Sequence, residues 1–156
     1  MSRKALAFVL VLIVGAAAVF GQTELTGPLV RERILKEHPD WQEVVAAYTP
    51  SAPAIEKLKA LSVPFHVEIF FGTWCSDSKA QVNAFFKVLD MVDSPLITAS
   101  YIGVPKKKEA RSQFYGGKDI QKIPTFIITV DGMEKGRIIE TPLKSIEQDL
   151  LDILAR

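Results

Sequence analysis

The chain has 156 residues, of which 48% are hydrophobic and 24% charged, and its formal net charge is +1. That length supports one domain around one core, and the composition is globular rather than disordered. The balance of charge argues against nucleic-acid binding, which calls for a concentrated basic face; the basic run Lys106–Lys107–Lys108 reads as solvated surface.

Arg3 and Lys4 open the chain, and an uncharged apolar stretch from Ala5 to Phe20 follows. Polarity returns at Gln22, Thr23 and Glu24. A basic start, a short apolar run and a small-residue exit predict a secretory signal peptide over residues 1–21. Cleavage after Gly21, with Val19 three positions before the cut, fits; cleavage after Ala18 is the alternative. The stretch is short for a bilayer span, so an uncleaved membrane anchor is the lesser reading. No cysteine lies near the boundary for lipid attachment. The expected location is therefore outside the cytoplasm, periplasmic or extracellular, with membrane contact only if the N-terminus stays uncleaved.

Residues 22–62 read as an N-terminal helical extension. Leu29, Val30, Ile34 and Glu37 follow a helical spacing that stops at His38–Pro39. Asp40 with Glu43 resembles a capping box for a helix over Trp41–Tyr48. Pro53 suits the first turn of a third helix carrying Ile55, Leu58 and Leu61. Trp41 and Tyr48 are expected to pack the extension.

A second segment, residues 63–156, reads β, α, β, α, β, β, α. Phe65–Phe71 is dense in Phe, Val and Ile, as a buried central strand requires. Gly72–Thr73–Trp74–Cys75 turns out of it. Val82, Phe85, Phe86, Leu89 and Val92 then mark one face of a helix. Leu96–Val104 reads as a second buried strand. Residues 106–115 predict a short helix closed by Gly116–Gly117. Phe126–Val130, Asp131–Gly132 and Lys135–Glu140 predict a hairpin, and Ser145 with Gln148 caps a final helix. The class is α/β, a central mixed sheet flanked by helices.

Cys75 is the chain's single cysteine, so no internal disulfide can form. Exported proteins usually pair their cysteines, and a leftover one points to a reactive thiol or an outside partner. At a strand-to-helix junction the thiol meets free backbone N–H groups and the positive helix end, which favour thiolate. Ser78 lies within reach as a hydroxyl donor, and Lys79 adds positive charge. Asp77 opposes both. The plainer alternative is a small buried apolar residue. His38 and His66 do not join Cys75 in a metal-ligand spacing, and no phosphate-binding glycine motif occurs. No cofactor or metal is called for.

The sequence Trp74–Cys75–Ser76–Asp77–Ser78–Lys79 opening a helix after a strand, with Ile123–Pro124–Thr125 before a hairpin, resembles the thioredoxin superfamily. Gly72 to Lys79, with Gly136 to Pro142, is similar to exported bacterial thioredoxin-like proteins bearing a Trp-Cys-x-Asp-Ser motif. The resemblance implies a thioredoxin-like fold over residues 63–156, a cis peptide bond before Pro124, and a substrate groove formed by Trp74, Ile123 and Pro124. It also exposes departures. Ser78 stands where the family has a resolving cysteine. Ile69 stands where thioredoxins keep a buried acid, and Glu68, one residue earlier, falls on the opposite strand face unless a bulge restores it. These departures imply monothiol exchange, with Cys75 attacking and an external thiol resolving. The partner would be a protein or low-molecular-weight compound carrying a disulfide or thiol. The alternative is a non-catalytic peptide- or protein-binding module. Peroxide reduction is disfavoured, because Gly72 holds the position where peroxiredoxins carry Thr.

Overall fold

The computed structural model describes residues 23–156; the expected signal peptide lies outside them. The elements run β1 (Gly27–Leu29), α1 (Arg31–Glu37), α2 (Asp40–Ala47), α3 (Ala52–Lys59), β2 (Phe65–Phe71), α4 (Ser76–Val92), β3 (Ile97–Gly103), β4 (Thr125–Val130), β5 (Met133–Ile139) and α5 (Ile146–Leu154). One five-stranded sheet has the order β1-β3-β2-β4-β5. β2 and β3 are parallel, joined by α4 as a crossover, and the other pairings are antiparallel. With β2 in the centre, α4 springing from its end and a cis-proline entering β4, the fold is thioredoxin-like.

Alternation along β2 divides the interior in two. Phe65, Val67, Ile69 and Phe71 face a large cluster shared by buried side chains of all five helices, among them Ile34, Trp41, Leu58, Phe85 and Leu150. Each large apolar side chain so buried contributes about 1.5–3 kcal/mol relative to exposure. Phe70 faces the other way, into a small cluster with Val104, Ile120, Ile123 and Ile127. The segment between β3 and β4 covers that side. It forms two short 3-10 turns, Lys108–Ala110 and Ser112–Phe114, where the sequence predicts a helix over 106–115. The segment is anchored through Phe114 and Tyr115 and lacks the roughly three or four apolar residues per two turns that a packed helix face presents.

The extension is not wholly helical. Gly27–Leu29 pairs antiparallel with β3 and becomes an edge strand, so residues 23–62 share the sheet and core of the segment that follows. Three residues are too few for a periodic signal, and Pro28 suits an edge. Leu25 passes so close to Gly103 that a Cβ there would stand 2.3 Å from the Leu25 carbonyl oxygen. The Asp40 capping box is also absent. Pro39 occupies the cap position, and the Asp40 carboxylate pairs instead with Lys79 of α4. Ser145 does cap α5, its hydroxyl accepting Gln148 N–H at 3.3 Å. Asp131 and Gly132 both have positive φ, 51° and 75°, as a two-residue type I′ hairpin demands.

Polar ties clamp the helices together. Arg31 of α1 holds Asp90 of α4 through two hydrogen bonds, 2.5 and 2.7 Å. Glu147 of α5 is buried and accepts from Tyr48 Oη at 2.9 Å and Ser51 N–H at 2.8 Å. Burial alone would raise its pKa, but these donors outweigh it and hold the carboxyl below its ordinary value. Burial together with the Glu147 carboxylate pushes the Tyr48 phenol well above its usual range.

A depressed carboxylate stabilises the fold above its unfolded value, here 4.5, and that stability is lost as pH falls through the lower folded value. Glu147→Gln is therefore expected to cost about 1–3 kcal/mol at pH above neutrality's acid side, near pH ~7, where a charged acceptor is lost. The gap to the native protein should narrow as pH drops below 4.5. Urea unfolding across that range measures it, and a constant gap would refute the role given to this carboxylate.

Candidate active site

The site forms where β2 ends. Gly72 leaves the sheet, Thr73 and Trp74 make the turn, and Cys75 is the N-cap residue of α4 with extended backbone, φ −99° and ψ 126°. The turn closes through Cys75 N–H to the Gly72 carbonyl at 3.0 Å. Cys75 is partly exposed. Its Sγ lies 4.0 Å from the Ile123 carbonyl oxygen, and the Ile123–Pro124 bond is cis. The proline turn is fixed by Thr125 Oγ1 donating to Lys122 O at 2.7 Å and Glu140 N–H donating to Pro124 O at 2.7 Å. Trp74, Cys75 and Ile123 thus meet over the small cluster around Phe70.

Trp74 is seated from three sides. Its Nε1–H donates to Val104 O at 3.0 Å. One region of the indole lies over Gly72, where an added Cβ would approach ring atoms to 2.6 Å. The Arg111 guanidinium sits 4.8 Å from the ring centroid. Arg111 is held by Nε–H to Pro105 O and Nη2–H to Lys106 O, both 2.8 Å. Sequence reasoning missed Arg111, Val104 and Gly72 as site residues; only the aromatic Trp74 beside a cysteine hinted that something must pack on it.

The other expected participants are arranged differently. Ser78 is fully buried, and its Oγ accepts Gly72 N–H at 3.1 Å. Its observed bond therefore staples the turn to the helix rather than reaching the sulfur. Lys79 pairs with Asp40, which directs its charge to the extension. Asp77 is exposed in the first turn of α4, where a carboxylate suits the helix dipole. Ile69 faces the large cluster. Glu68 shares the face of Phe70 and pairs with Lys118 at 2.9 Å. The β2–β3 register is unbroken across it, so no bulge turns Glu68 toward the position of a buried acid. His66 bonds to Thr98 Oγ1 at 2.8 Å and Ser100 Oγ at 2.9 Å, on the open face of the sheet.

The N-terminal end of the described chain is tied to this turn. Thr73 Oγ1 accepts Leu25 N–H at 3.3 Å and donates to Thr23 O at 3.4 Å. Thr23 O also accepts from His38 Nε2 at 2.9 Å. Among the described residues no group of His, Cys, Asp and Glu side chains is arranged to hold a metal, and no helix is long and apolar enough to cross a membrane.

Comparison with known proteins supports the fold. No family model matches the chain, and no curated protein matches it. A crystal structure of a Pseudomonas aeruginosa protein of unknown function is similar, with 16% identity and a TM-score of 0.59, over 83% of this chain and 90% of that one. A crystallised HIV epitope-scaffold gives 17% identity and a TM-score of 0.55, over 83% of each chain. The Edwardsiella tarda protein Trxlp aligns at 20% identity and a TM-score of 0.42, over 69% of this chain and 96% of that one.

The seat of Trp74 yields a direct test. Gly72→Ala should displace the indole and destabilise the fold by about 1–3 kcal/mol, the cost of overpacking a tight contact. Tryptophan emission should change with it, and the same substitution in a Trp74→Phe background should be milder. Equal costs in both backgrounds would mean the ring does not set the requirement for glycine.

Proposed function

We propose that this chain is an exported, monothiol thioredoxin-like protein that carries out thiol–disulfide exchange through Cys75. It would belong with the exported bacterial proteins that carry the Trp-Cys-x-Asp-Ser motif. The observation that carries this reading is the meeting of a partly exposed Cys75, at the N-cap of a 17-residue helix, with the cis Ile123–Pro124 turn. The sulfur stands at the N-terminal end of α4, where the helix dipole is positive. Trp74 and the Ile123 backbone border the space an extended partner would enter.

Exchange begins when the Cys75 thiolate attacks a partner disulfide. A bond forms between the two sulfurs, the partner's S–S bond breaks, and the departing sulfur takes the electron pair. Ser78 cannot attack the mixed disulfide, because a hydroxyl is a far weaker nucleophile than a thiol, so release requires an outside thiol. The partner is a disulfide- or thiol-containing protein or a low-molecular-weight thiol, and exchange needs no cofactor. The place of action would be the periplasm or extracellular space, after removal of residues 1–21.

A second reading, a binding module without turnover, draws on one observation. Sγ lies 4.0 Å from the Ile123 carbonyl oxygen, within reach of a backbone acceptor, while Lys79 is occupied by Asp40. In that case Cys75 helps line a groove for an extended peptide.

Trapping separates the two. Native protein incubated with a disulfide-bearing peptide should form an adduct that persists until a small thiol is added. Cys75→Ser should form none, as no other cysteine exists. Ser78→Cys should shorten the adduct's lifetime by supplying an internal thiol. Absence of any adduct with the native protein, its thiol titrating as free and accessible, would leave the binding module as the better account.

A further inference from the structure

The segment leading from β3 to β4 brings cations to the rim of the Cys75 site. Lys106, Lys107 and Lys108 are all exposed. Lys118 and Lys122, further along, are neutralised by Glu68 and Glu140. Arg111 is different: among the described residues no carboxylate forms an ion pair with it. Its Nε–H and one Nη2–H are spent on the Pro105 and Lys106 carbonyls. This fixes the guanidinium plane above Trp74 and leaves the Nη1–Nη2 edge, two parallel N–H donors, without a protein acceptor. Such an edge matches a carboxylate bidentately. Its rotameric freedom has already been given up, so little further ordering is needed when an anion docks. The acidic side chains of the surrounding segments are Glu24, Asp77, Glu109 and Asp119; Glu24 accepts from Lys106 N–H at 2.9 Å and Asp119 accepts from the Gln121 side-chain amide.

We propose that Arg111 is a carboxylate-binding residue, and that the site selects disulfide partners carrying a carboxylate beside the reacting sulfur, with Lys106, Lys107 and Lys108 drawing such partners in. This rests on the exchange reading of Cys75 and names its substrate class. The guanidinium stacks on the indole of Trp74, the residue before Cys75, so in this proposal the partner's carboxylate meets Arg111 while its sulfur meets Cys75. The covalent step is unchanged: the Cys75–sulfur bond forms, the partner's S–S bond breaks, and the leaving thiolate carries the electron pair while the Cys75 proton goes to solvent.

The test compares rates of adduct formation, each normalised to a small neutral reference thiol. One arm uses dithiobis(nitrobenzoate), which carries carboxylates, against neutral dithiodipyridine. The other uses two activated cysteine peptides that differ only in Glu or Gln beside the cysteine. At low salt the acidic probe should be favoured about tenfold, as expected of electrostatic attraction at a focused site, and the preference should shrink with added salt. Preference in the peptide arm assigns a protein partner, and preference confined to the small probes assigns a low-molecular-weight acid. Arg111→Gln should abolish the preference, read as the ratio of acidic-probe to neutral-probe rate within the variant itself, and Arg111→Lys should restore only part of it. Should Arg111→Gln fail to fold, replacing Lys106, Lys107 and Lys108 together by Gln should still weaken the salt-sensitive component. Equal normalised rates in the native protein, or a preference untouched by Arg111→Gln, would overturn the assignment to Arg111 and leave the exchange reading standing. Failure of Cys75 to react with either member of a pair would overturn the exchange reading itself, and this inference with it.

Discussion

The contact between the indole of Trp74 and the bare Cα of Gly72 organises everything around the thiol. With the ring lying across Gly72, its N–H reaches Val104 at the end of the neighbouring strand. This couples the exit of β2 to the exit of β3. The outer side of the same ring receives Arg111, whose own bonds shape the chain from Pro105 onward. Cys75, the next residue, is then held at the mouth of α4 opposite the proline turn. A single glycine-for-ring exchange of space thus sets the position of the sulfur, the cis-proline side and the cationic rim.

A second constraint acts behind the site. Ser78 and Lys79 read in sequence as company for the cysteine, yet each works as a fastener, as does Thr73 in the turn before it. Ser78 locks the turn to the helix, Lys79 reaches Asp40 of α2, and Thr73 grips the strand entering β1. Here these side chains are recruited to hold the backbone around the thiol in place, and much of the surface around the sulfur is furnished from residues 104–124 instead.

Much of this architecture is legible from residue pattern. The apolar run of β2, the helical spacing of Val82 to Val92, the Asp131–Gly132 hairpin and the Ser145 cap all follow from short-range chemistry. The cis-proline follows only through family resemblance. What stays hidden is long-range. The strand at Gly27–Leu29 exists because β3 offers an open edge, and nothing within those three residues demands it. Arg111 lies 36 positions beyond Cys75 by the numbering, in a polar stretch with no periodicity, and only folding lays it on Trp74. The reading of Asp40 as a cap fails for a related reason. A carboxylate near a helix start has two uses, and a lysine brought by another helix decides between them.

The interior is unevenly divided between the two faces of the sheet. The large cluster draws on every helix, whereas the cluster under Trp74 and Cys75 is small and roofed by a segment of turns. This separates two burdens that many compact proteins must load onto the same residues. Changes in length or charge within the roofing segment leave the helices and their shared core untouched. Divergence can therefore retune what the thiol meets without renegotiating the stability of the whole, and the same segment is the natural place to graft a new recognition loop.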